Sequence, residues 1–395
     1  MEKKWMSWRG CWDYRRKDGR FENSEFVWDE YMKVKLKDVC IRDSSNLKQS
    51  DVLGKDGEYP IYGAAGYIGN VEFYHQEKSY VAVVKDGAGI GRTSLCPAKS
   101  SIIGTMQYLI PKENILPEYL YYVVRYMHLE KYYTGATIPH IYFKDYKNEK
   151  FNLDSIDRQS KIINILGKCE KIINVRQKEI EKLDNLVKAR FVEMFNETNA
   201  NWEEVTIADI CKDMRTGPFG SALHHDEFVD EGIFVLGIDN AVENKFSYNR
   251  MRYITEEKYE KLKRYTVHPG DVIITIMGTV GRSAVIPEDM PKAINTKHLA
   301  CLTPDTNIVD SYFLVNVFQV HPLIRKQLES QSKGAIMNGL NLTIIKGLKF
   351  RLPPLELQKK FVIFYNQINK SKVKVQKALD ETQKLFDSLM QQYFG

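Results

Sequence analysis

The chain has 395 residues, 43% of them apolar, which is enough for two or three domains with their own cores. No apolar run approaches the roughly 20 residues of a membrane span, and no apolar segment follows the N-terminal lysines, so neither membrane contact nor a signal peptide is predicted. The six cysteines are scattered without a CxxC pair, which is typical of a reduced, cytoplasmic protein. A net charge of +6 permits a nucleic-acid partner without requiring one.

Residues 1–28 form a predicted N-terminal extension. It holds four of the five tryptophans among several arginines, with neither the period of a strand nor that of a helix. Two interpretations stay open for this segment. It is either an arm that stacks on bases or buries against a partner, or a poorly ordered extension.

Residues 29–155 form the first predicted globular domain. A short β-rich run at residues 79–84 leads into a glycine-containing turn that ends at Gly91-Arg92, and residues 118–126 have the pattern of an amphipathic helix. This mixture predicts an α+β domain. Its Asp86-Gly-Ala-Gly-Ile-Gly segment lacks the GxGxxG spacing, and no amphipathic helix follows it, so no nucleotide cofactor is predicted.

Residues 156–198 form a predicted long helix. Apolar residues recur from Ile162 to Met194 in alternating steps of four and three, which is the a/d seam of a heptad repeat. Arg176 and Arg190 fill the two remaining seam positions. A helix of about 40 residues spans roughly 60 Å, too long for one small domain, and therefore requires a partner helix.

Residues 199–352 repeat the first domain. The segment around Cys211 matches that around Cys40, and Gly281-Arg282 ends a turn like the one that ends at Gly91-Arg92. The distance between matching residues grows from 171 to 199 along the chain, which indicates that one unit was duplicated and that the second copy carries insertions. The β-rich run at 271–276 and the predicted helix at 310–320 again indicate an α+β domain.

Residues 353–395 repeat the long helix after the Pro353-Pro354 pair, and every seam position recurs 199 residues later. The second helix has one plausible partner, the first, and must run back along it. The sequence thus predicts two related α+β domains separated by an antiparallel two-helix coiled coil, with internal pseudo-twofold symmetry. Polar seam residues, such as Lys372 and Thr382, either fix the register or extend outward to solvent.

The motifs that could bind a ligand or take part in catalysis lie in turns and loops. An arginine at a hairpin tip can reach a phosphate or a base edge, and the alternative for Arg92 and Arg282 is an ordinary solvated charge. His224-His225 has no Cys, Asp or Glu cluster at ligand spacing, so no metal site is predicted. The sequence contains no Walker A motif, nucleophile elbow or Asn/Asp-Pro-Pro-aromatic tetrapeptide, and so no catalytic activity is predicted.

The duplicated arrangement closely resembles the specificity subunit of type I restriction–modification systems. The matching stretches in the first copy are Tyr59-Pro-Ile-Tyr-Gly-Ala-Ala-Gly-Tyr-Ile-Gly69, Asp86-Gly-Ala-Gly-Ile-Gly-Arg92 and Gly135-Ala-Thr-Ile-Pro139. Those in the second are Gly217-Pro-Phe-Gly-Ser221, Gly270-Asp-Val-Ile-Ile274, Gly278-Thr-Val-Gly281 and Leu352-Pro-Pro-Leu-Glu-Leu-Gln358. The chain departs from the family pattern at residues 151–159, which lack the prolines usual before the first helix.

The resemblance implies a non-catalytic subunit whose two target-recognition domains each read one half of a bipartite, asymmetric double-stranded DNA site. The helix pair would set the spacer between the halves. Partners would be two methyltransferase (modification) subunits and restriction subunits. The candidate DNA-contacting side chains are Tyr62, Tyr67, Lys85, Arg92, Thr137, His140, Arg215, Ser221, Arg282, Lys297, His298, Lys333 and Asn338. The alternatives are the recognition portion of a stand-alone DNA methyltransferase or nuclease, and a structural coiled-coil adaptor.

Overall fold

The computed structural model describes residues 32–135, 139–195, 201–219, 222–332 and 340–395, which form two compact units. Unit 1 contains the described residues up to Lys171 together with Thr382–Gly395, and unit 2 is Ile172–Glu381. Each unit holds one globular domain, called domain 1 and domain 2 below, and part of each long helix. The predicted extension of residues 1–28 lies outside the described residues.

Domain 1 consists of short strands and short helices. Its strands are β1 (Met32–Lys35), β2 (Cys40–Ser44), β3 (Tyr59–Gly63), β4 (Gly66–Val71), β5 (Tyr80–Val84), β6 (Thr93–Cys96), β7 (Ser101–Ile102), β8 (Met106–Pro111) and β9 (Lys150–Leu153). Its helices are α1 (Leu36–Val39), α2 (Gln49–Val52), α3 (Pro117–Tyr126) and α4 (Phe143–Tyr146), with a 3-10 turn at Leu129–Tyr132. The chain then enters the long helix α5 (Ile156–Met194).

The core of domain 1 lies around β5, whose five residues are all buried. A continuous apolar run is what a strand covered on both faces requires. Strand β5 is central in the sheet β2-β8-β5-β6, and α3 packs on β5, β6 and β8. A second sheet has the order β4-β3-β7, and β1 pairs with β9. The predicted strand at 79–84 and the predicted helix at 118–126 are confirmed.

Domain 2 begins after α5. Its strands are β10 (Glu204–Thr206), β11 (Cys211–Thr216), β12 (Ile233–Leu236), β13 (Tyr253–Ile254), β14 (Thr266–Val267), β15 (Val272–Thr275), β16 (Ser283–Val285), β17 (Ala293–Asn295), β18 (Leu299–Pro304) and β19 (Lys349–Arg351). Its helices are α6 (Glu256–Leu262), α7 (Ser311–Val320), α8 (Pro322–Ser332) and α9 (Leu342–Gly347), with 3-10 turns at Ala208–Ile210, His225–Glu227, Ile238–Asn240 and Lys263–Tyr265. The long helix α10 (Leu355–Phe394) follows.

The two domains have the same topology. Sheet β11-β18-β15-β16 repeats the order of β2-β8-β5-β6, and the β10–β19 pair repeats β1–β9. Strand β12 pairs parallel with β17 as β3 does with β7, and α7 packs on β15 and β16 as α3 packs on β5 and β6. Domain 2 adds α6 and β14 between β13 and β15. The predicted duplication, with insertions in the second copy, is confirmed.

The long helices begin at equivalent residues, Ile156 and Leu355. At the positions of the missing prolines, domain 1 has Asp154 and Ser155. The Asp154 carboxylate accepts a hydrogen bond from Tyr119 Oη at 2.6 Å and pairs with Arg158 at 2.9 Å. This network takes the place of the proline pair ahead of α5, so the first helix has a defined start.

The heptad seam is the buried side of both helices. Along α5 its members are buried or half-buried, and between residues 171 and 189 Asp184 is the only other residue that is not exposed. Within unit 2, Phe191 packs against Phe361 with ring centroids 5.2 Å apart, and Asp184 forms an ion pair with Lys372. These contacts run antiparallel, and the second favours the register-fixing interpretation of Lys372. A coiled coil along the entire seam stays a prediction. None of the described helices is both long and apolar enough to cross a bilayer.

Candidate nucleic-acid interface

The two hairpins that carry the repeated Gly-Arg pair are closed in the same way. In unit 1, Gly91 N donates to Val84 O and Val84 N donates to Arg92 O, both at 2.9 Å. In unit 2 the corresponding bonds join Gly281 to Thr275 and Thr275 to Arg282, both at 2.8 Å. The two glycines have φ values of +80° and +82°, a left-handed conformation that other residues rarely adopt. The repeated motif therefore places an exposed arginine at an equivalent point of each hairpin.

In unit 1 the structure brings the three motif stretches of the sequence together. Arg92 Nη1 donates to Ala64 O at 3.0 Å, which ties the β5–β6 turn to the β3–β4 turn. Ile141 N donates to Lys85 O at 2.9 Å and Gly87 N to Pro139 O at 3.0 Å, which ties the same turn to the loop before α4. Residues far apart in sequence thus form one continuous surface of loops.

The side chains on this surface combine aromatic rings with charge. Tyr62 and Tyr67 form an edge-to-face pair with centroids 6.1 Å apart, and Tyr67 is 61% exposed. Lys85 lies beside Asp86 at 3.8 Å, and the same carboxylate pairs with His140 Nδ1 at 2.6 Å. Exposed aromatics can stack on bases or sugars, and the cations can pair with phosphates.

Sequence reasoning missed two neighbouring residues, Tyr142 and Lys144. Tyr142 is half-exposed, its ring lies parallel to that of His140 at 6.3 Å, and Lys144 Nζ lies 5.2 Å from its centroid. The available signal was an aromatic and a lysine directly after the Gly135–Pro139 motif. In this arrangement the exposed ring of Tyr142 could stack on a base while the Lys144 ammonium contacts a neighbouring phosphate.

In unit 2 the Arg282 hairpin lies among loops from several strands. Ile276 N donates to His298 O at 3.0 Å, and Thr296 N donates to Leu236 O at 2.9 Å. Gly217 packs closely on the backbone of Thr296, because a Cβ added to Gly217 would lie 2.2 Å from the carbonyl carbon of Thr296. The β17–β18 turn with Lys297 and His298 is thereby joined to the Arg282 hairpin and to the Gly217 loop.

Domain 2 places a cluster of cations on this surface. Lys297 is exposed, His298 is half-buried, and Arg252 pairs with Asp239 at 2.7 Å. Burial, and then the charges of Lys297 and Arg252, lower the pKa of His298 below its ordinary value, so the ring is neutral at neutral pH and offers both a donor and an acceptor. Arg252 was missed because it lies at the end of the long β12–β13 loop, whose counterpart in domain 1 is the short β3–β4 turn.

Arg215 has a different position from the one that its motif suggests. Its side chain is 14% exposed, and Nη2 donates to the buried carboxylate of Asp271 at 2.8 Å. Nη1 pairs with Asp213 at 2.7 Å and donates to Thr303 Oγ1 at 3.0 Å. With these partners the guanidinium holds β11, β15 and β18 together, so Arg215 is a structural residue of domain 2 and its charge is already paired within the domain. Thr137, Ser221, Lys333 and Asn338 lie outside the described residues and stay predictions.

Comparisons with known proteins agree with the duplicated fold. Residues 29–185 and 199–382 match the family described as type I restriction modification DNA specificity domain. The type I restriction enzyme MjaVIII specificity subunit of Methanocaldococcus jannaschii is 23% identical over 301 residues, covering 71% of this chain and 69% of the relative. The EcoBI specificity subunit of Escherichia coli is 26% identical over 162 residues, covering 41% and 34%.

Two solved structures share the fold. The type I restriction-modification system S subunit from M. genitalium aligns with a TM-score of 0.61 at 15% identity, covering 94% of this chain and 98% of that one. A second chain comes from a structure described as the structural basis of complex assembly and conformational transition of the type I R-M system. It aligns with a TM-score of 0.53 at 14% identity, covering 92% of this chain and 97% of that one. Since the family match includes both copies of the repeat, the chain belongs to the type I restriction–modification DNA specificity family.

Proposed function

We propose that this chain is the DNA-recognition subunit of a type I restriction–modification complex. Domain 1 and domain 2 each read one half of a bipartite site in double-stranded DNA. The observation that carries the proposal is the pair of equivalent hairpins, which present Arg92 and Arg282 beside loops rich in aromatic and cationic side chains. Phosphate contacts from such cations position a domain, and base-edge contacts specify sequence.

The two half-sites differ in this proposal because the surroundings of the two arginines differ. Domain 1 carries Tyr67 and Tyr142 on the loop surface that also holds Arg92, whereas the hairpin of domain 2 lies near Lys297 and His298. Each base pair presents its own pattern of donors, acceptors and methyl groups in the major groove. Different side chains on one scaffold therefore select different bases, which makes the site asymmetric.

The chain itself is non-catalytic in this proposal and acts with two modification subunits and with restriction subunits in the cytoplasm. The long helices supply a surface for protein partners, because several apolar side chains on their outer faces are exposed. Examples are Val175 on α5 and Val373 on α10, at 56% and 69% exposure. The stand-alone methyltransferase alternative predicts that the isolated chain binds S-adenosylmethionine, which isothermal titration would detect.

The helix pair sets the separation of the half-sites in this proposal. The seam recurs at a constant distance of 199 residues along both helices, although the domains have diverged in length. A rigid spacer with variable domains at its ends lets half-site sequence change while the spacer stays fixed.

An exchange of domain 2 tests the proposal. Residues 202–350 are replaced by the equivalent region of another specificity subunit, and the methylated motif is read by single-molecule sequencing of a host that also expresses the modification subunits. We expect one half-site to change while the other half-site and the spacer are kept. The matched control replaces residues 32–153 and should change the other half-site. A change in both halves, or in neither, contradicts independent reading.

A further inference from the structure

Each long helix has a glutamine on its first turn that is completely buried. Gln159 is the fourth residue of α5 and Gln358 the fourth of α10, and both are 0% exposed. They are 199 residues apart, the offset of the entire helix repeat. A buried primary amide is costly unless its two N–H donors and its oxygen are all paired.

In unit 1 the Gln159 amide is fully paired with backbone groups. Its Nε2 donates to Asn114 O at 3.1 Å and to Asp154 O at 2.9 Å, and its Oε1 accepts from Leu116 N at 2.8 Å. Leu116 is the N-cap residue of α3. One side chain therefore joins the start of the long helix, the residue two before it, and the N-terminus of the helix that packs under the domain 1 sheet.

In unit 2 Gln358 makes the same three contacts. Its Nε2 donates to Ile308 O at 3.1 Å and to Pro353 O at 2.8 Å, and its Oε1 accepts from Asp310 N at 3.0 Å. Asp310 is the N-cap residue of α7, the helix equivalent to α3. The pattern is thus kept although Asp154 is replaced by Pro353, and although the neighbouring residues of the two loops differ.

The position of these bonds connects the long helices to the hairpins. Helix α3 packs on β5 and β6, the strands that carry the Arg92 turn, and α7 packs on β15 and β16, which carry the Arg282 turn. Three bonds from one amide fix both the distance and the rotation between a long helix and the N-cap of the domain helix. Apolar packing alone is non-directional and leaves rotation less well determined.

We propose that Gln159 and Gln358 are positioning residues that set the orientation of each domain on its long helix, and thereby the spacer length that the protein accepts. The inference rests on the proposed DNA-recognition function. The glutamines do not touch DNA, so they act on spacing and leave the identity of each half-site to the loops.

The first experiment replaces each glutamine by methionine, which has a similar shape and no amide. Binding of the complete complex with its modification subunits is measured on duplexes that carry both half-sites with spacers one or two base pairs shorter or longer than the natural one. We expect the preference for the natural spacer to fall about fivefold or more, the factor that corresponds to one lost net hydrogen bond. Preference for the correct half-site bases should stay unchanged.

The matched control is Gln177→Met, which removes an exposed glutamine from α5. It should leave both the spacer preference and the half-site preference unchanged. If the wild-type complex shows no half-site preference, the proposed function is wrong. If the wild-type complex shows that preference and a folded variant keeps its full preference for the natural spacer, the positioning role is wrong. Should a methionine variant fail to fold, Gln→Asn at the same position keeps an uncharged amide but shortens its reach, so that its three bonds cannot all form. The same outcomes then decide.

A second measurement is independent of DNA. Genetically encoded nitroxide residues at Glu288 in domain 2 and Lys374 on α10, both exposed, report the distance distribution between domain and helix within unit 2. Electron paramagnetic resonance should show a broader distribution for Gln358→Met than for the wild type. An equally narrow distribution in the folded variant contradicts the proposal whatever the protein recognises.

Discussion

Lengthening both long helices by three heptads is expected to lengthen the spacer of the methylated DNA motif by about nine base pairs. Twenty-one helical residues add about 31 Å at 1.5 Å per residue, and DNA rises about 3.4 Å per base pair. The heptad unit keeps the seam in phase, so the helices can pair along the longer rod.

The structure indicates where the insertions belong. Asp184 contacts Lys372 and Phe191 contacts Phe361, and contacting residue numbers in an antiparallel pair keep nearly the same sum. These two contacts place residue 178 opposite the helical turn at residues 374–378. Lys178 and Lys377 are also equivalent in the repeat. Insertions directly after these two residues therefore lie opposite each other, and they leave the native pairing on both sides intact.

The number of heptads decides whether both domains can reach the DNA together. With 10 to 10.5 base pairs per turn, about nine added base pairs rotate the second half-site to within about 40° of its original direction. One heptad adds about three base pairs and about 100° of rotation, and two heptads leave the half-site about 150° away. Untwisting DNA by such angles costs energy, so one or two heptads should reduce methylation more than three.

The assay is methylome sequencing of hosts that express the variants with the modification subunits. The expected result for three heptads is a motif with both original half-sites and a spacer longer by eight to ten base pairs, roughly. Circular dichroism and thermal melts confirm that each variant is folded. Methylation at the original spacing by the three-heptad protein would refute the view that the helices act as a spacer.

Three other predictions concern single residues. Arg92→Ala or Arg282→Ala should weaken DNA binding by about 1–3 kcal/mol if the arginine reads a base, or make the affinity less dependent on salt if it contacts a phosphate. If DNA-binding titrations at several salt concentrations are unchanged for both variants, the two arginines are ordinary solvated surface residues. Arg215→Ala should instead destabilise domain 2 by about 3–5 kcal/mol in chemical denaturation, because it leaves the buried carboxylate of Asp271 without its positively charged partner. Near-native stability of this variant would contradict the network. Burial lowers the pKa of His321 from 6.5 to about 4, so the unfolded chain takes up a proton before the folded one does. The contribution of neutral His321 to the stability of unit 2 should be fully present above about pH 6.5 and should fall by about 3 kcal/mol as the pH falls to about 4. The stability of the His321→Gln variant should therefore decrease less steeply over this pH range than that of the wild type.

Features that depend on local periodicity could be predicted from the sequence. The heptad seam and the central strands follow from the spacing of apolar residues, and burial in the structure follows the same spacing. The repeated turns were also predictable, because Gly91 and Gly281 are needed wherever the backbone must adopt a positive φ. Such signals are contained within a few residues of the chain.

Features that depend on contacts between distant segments could not be predicted. Arg215 pairs with a carboxylate 56 residues away, and only the order of β11, β18 and β15 brings them together. The role of Gln159 was hidden for a similar reason, because a glutamine on a first helical turn is usually solvated, and its partners at Asn114 and Leu116 lie in a loop over 40 residues upstream. Composition and spacing carry no information about such pairs.

The return of α10 to unit 1 has a consequence for biosynthesis. Phe394 packs edge-on against Tyr119 at 5.3 Å, and Phe386 lies 6.3 Å from Tyr122, so the last residues of the chain cover the outer side of α3. Between Tyr126 and Thr382 lie about 250 residues, which a ribosome that adds about 5–20 residues per second needs roughly 13–50 s to make. During that interval the tyrosines of α3 lack their packing partners from α10. Domain 1, which is synthesised before domain 2, is therefore completed after it.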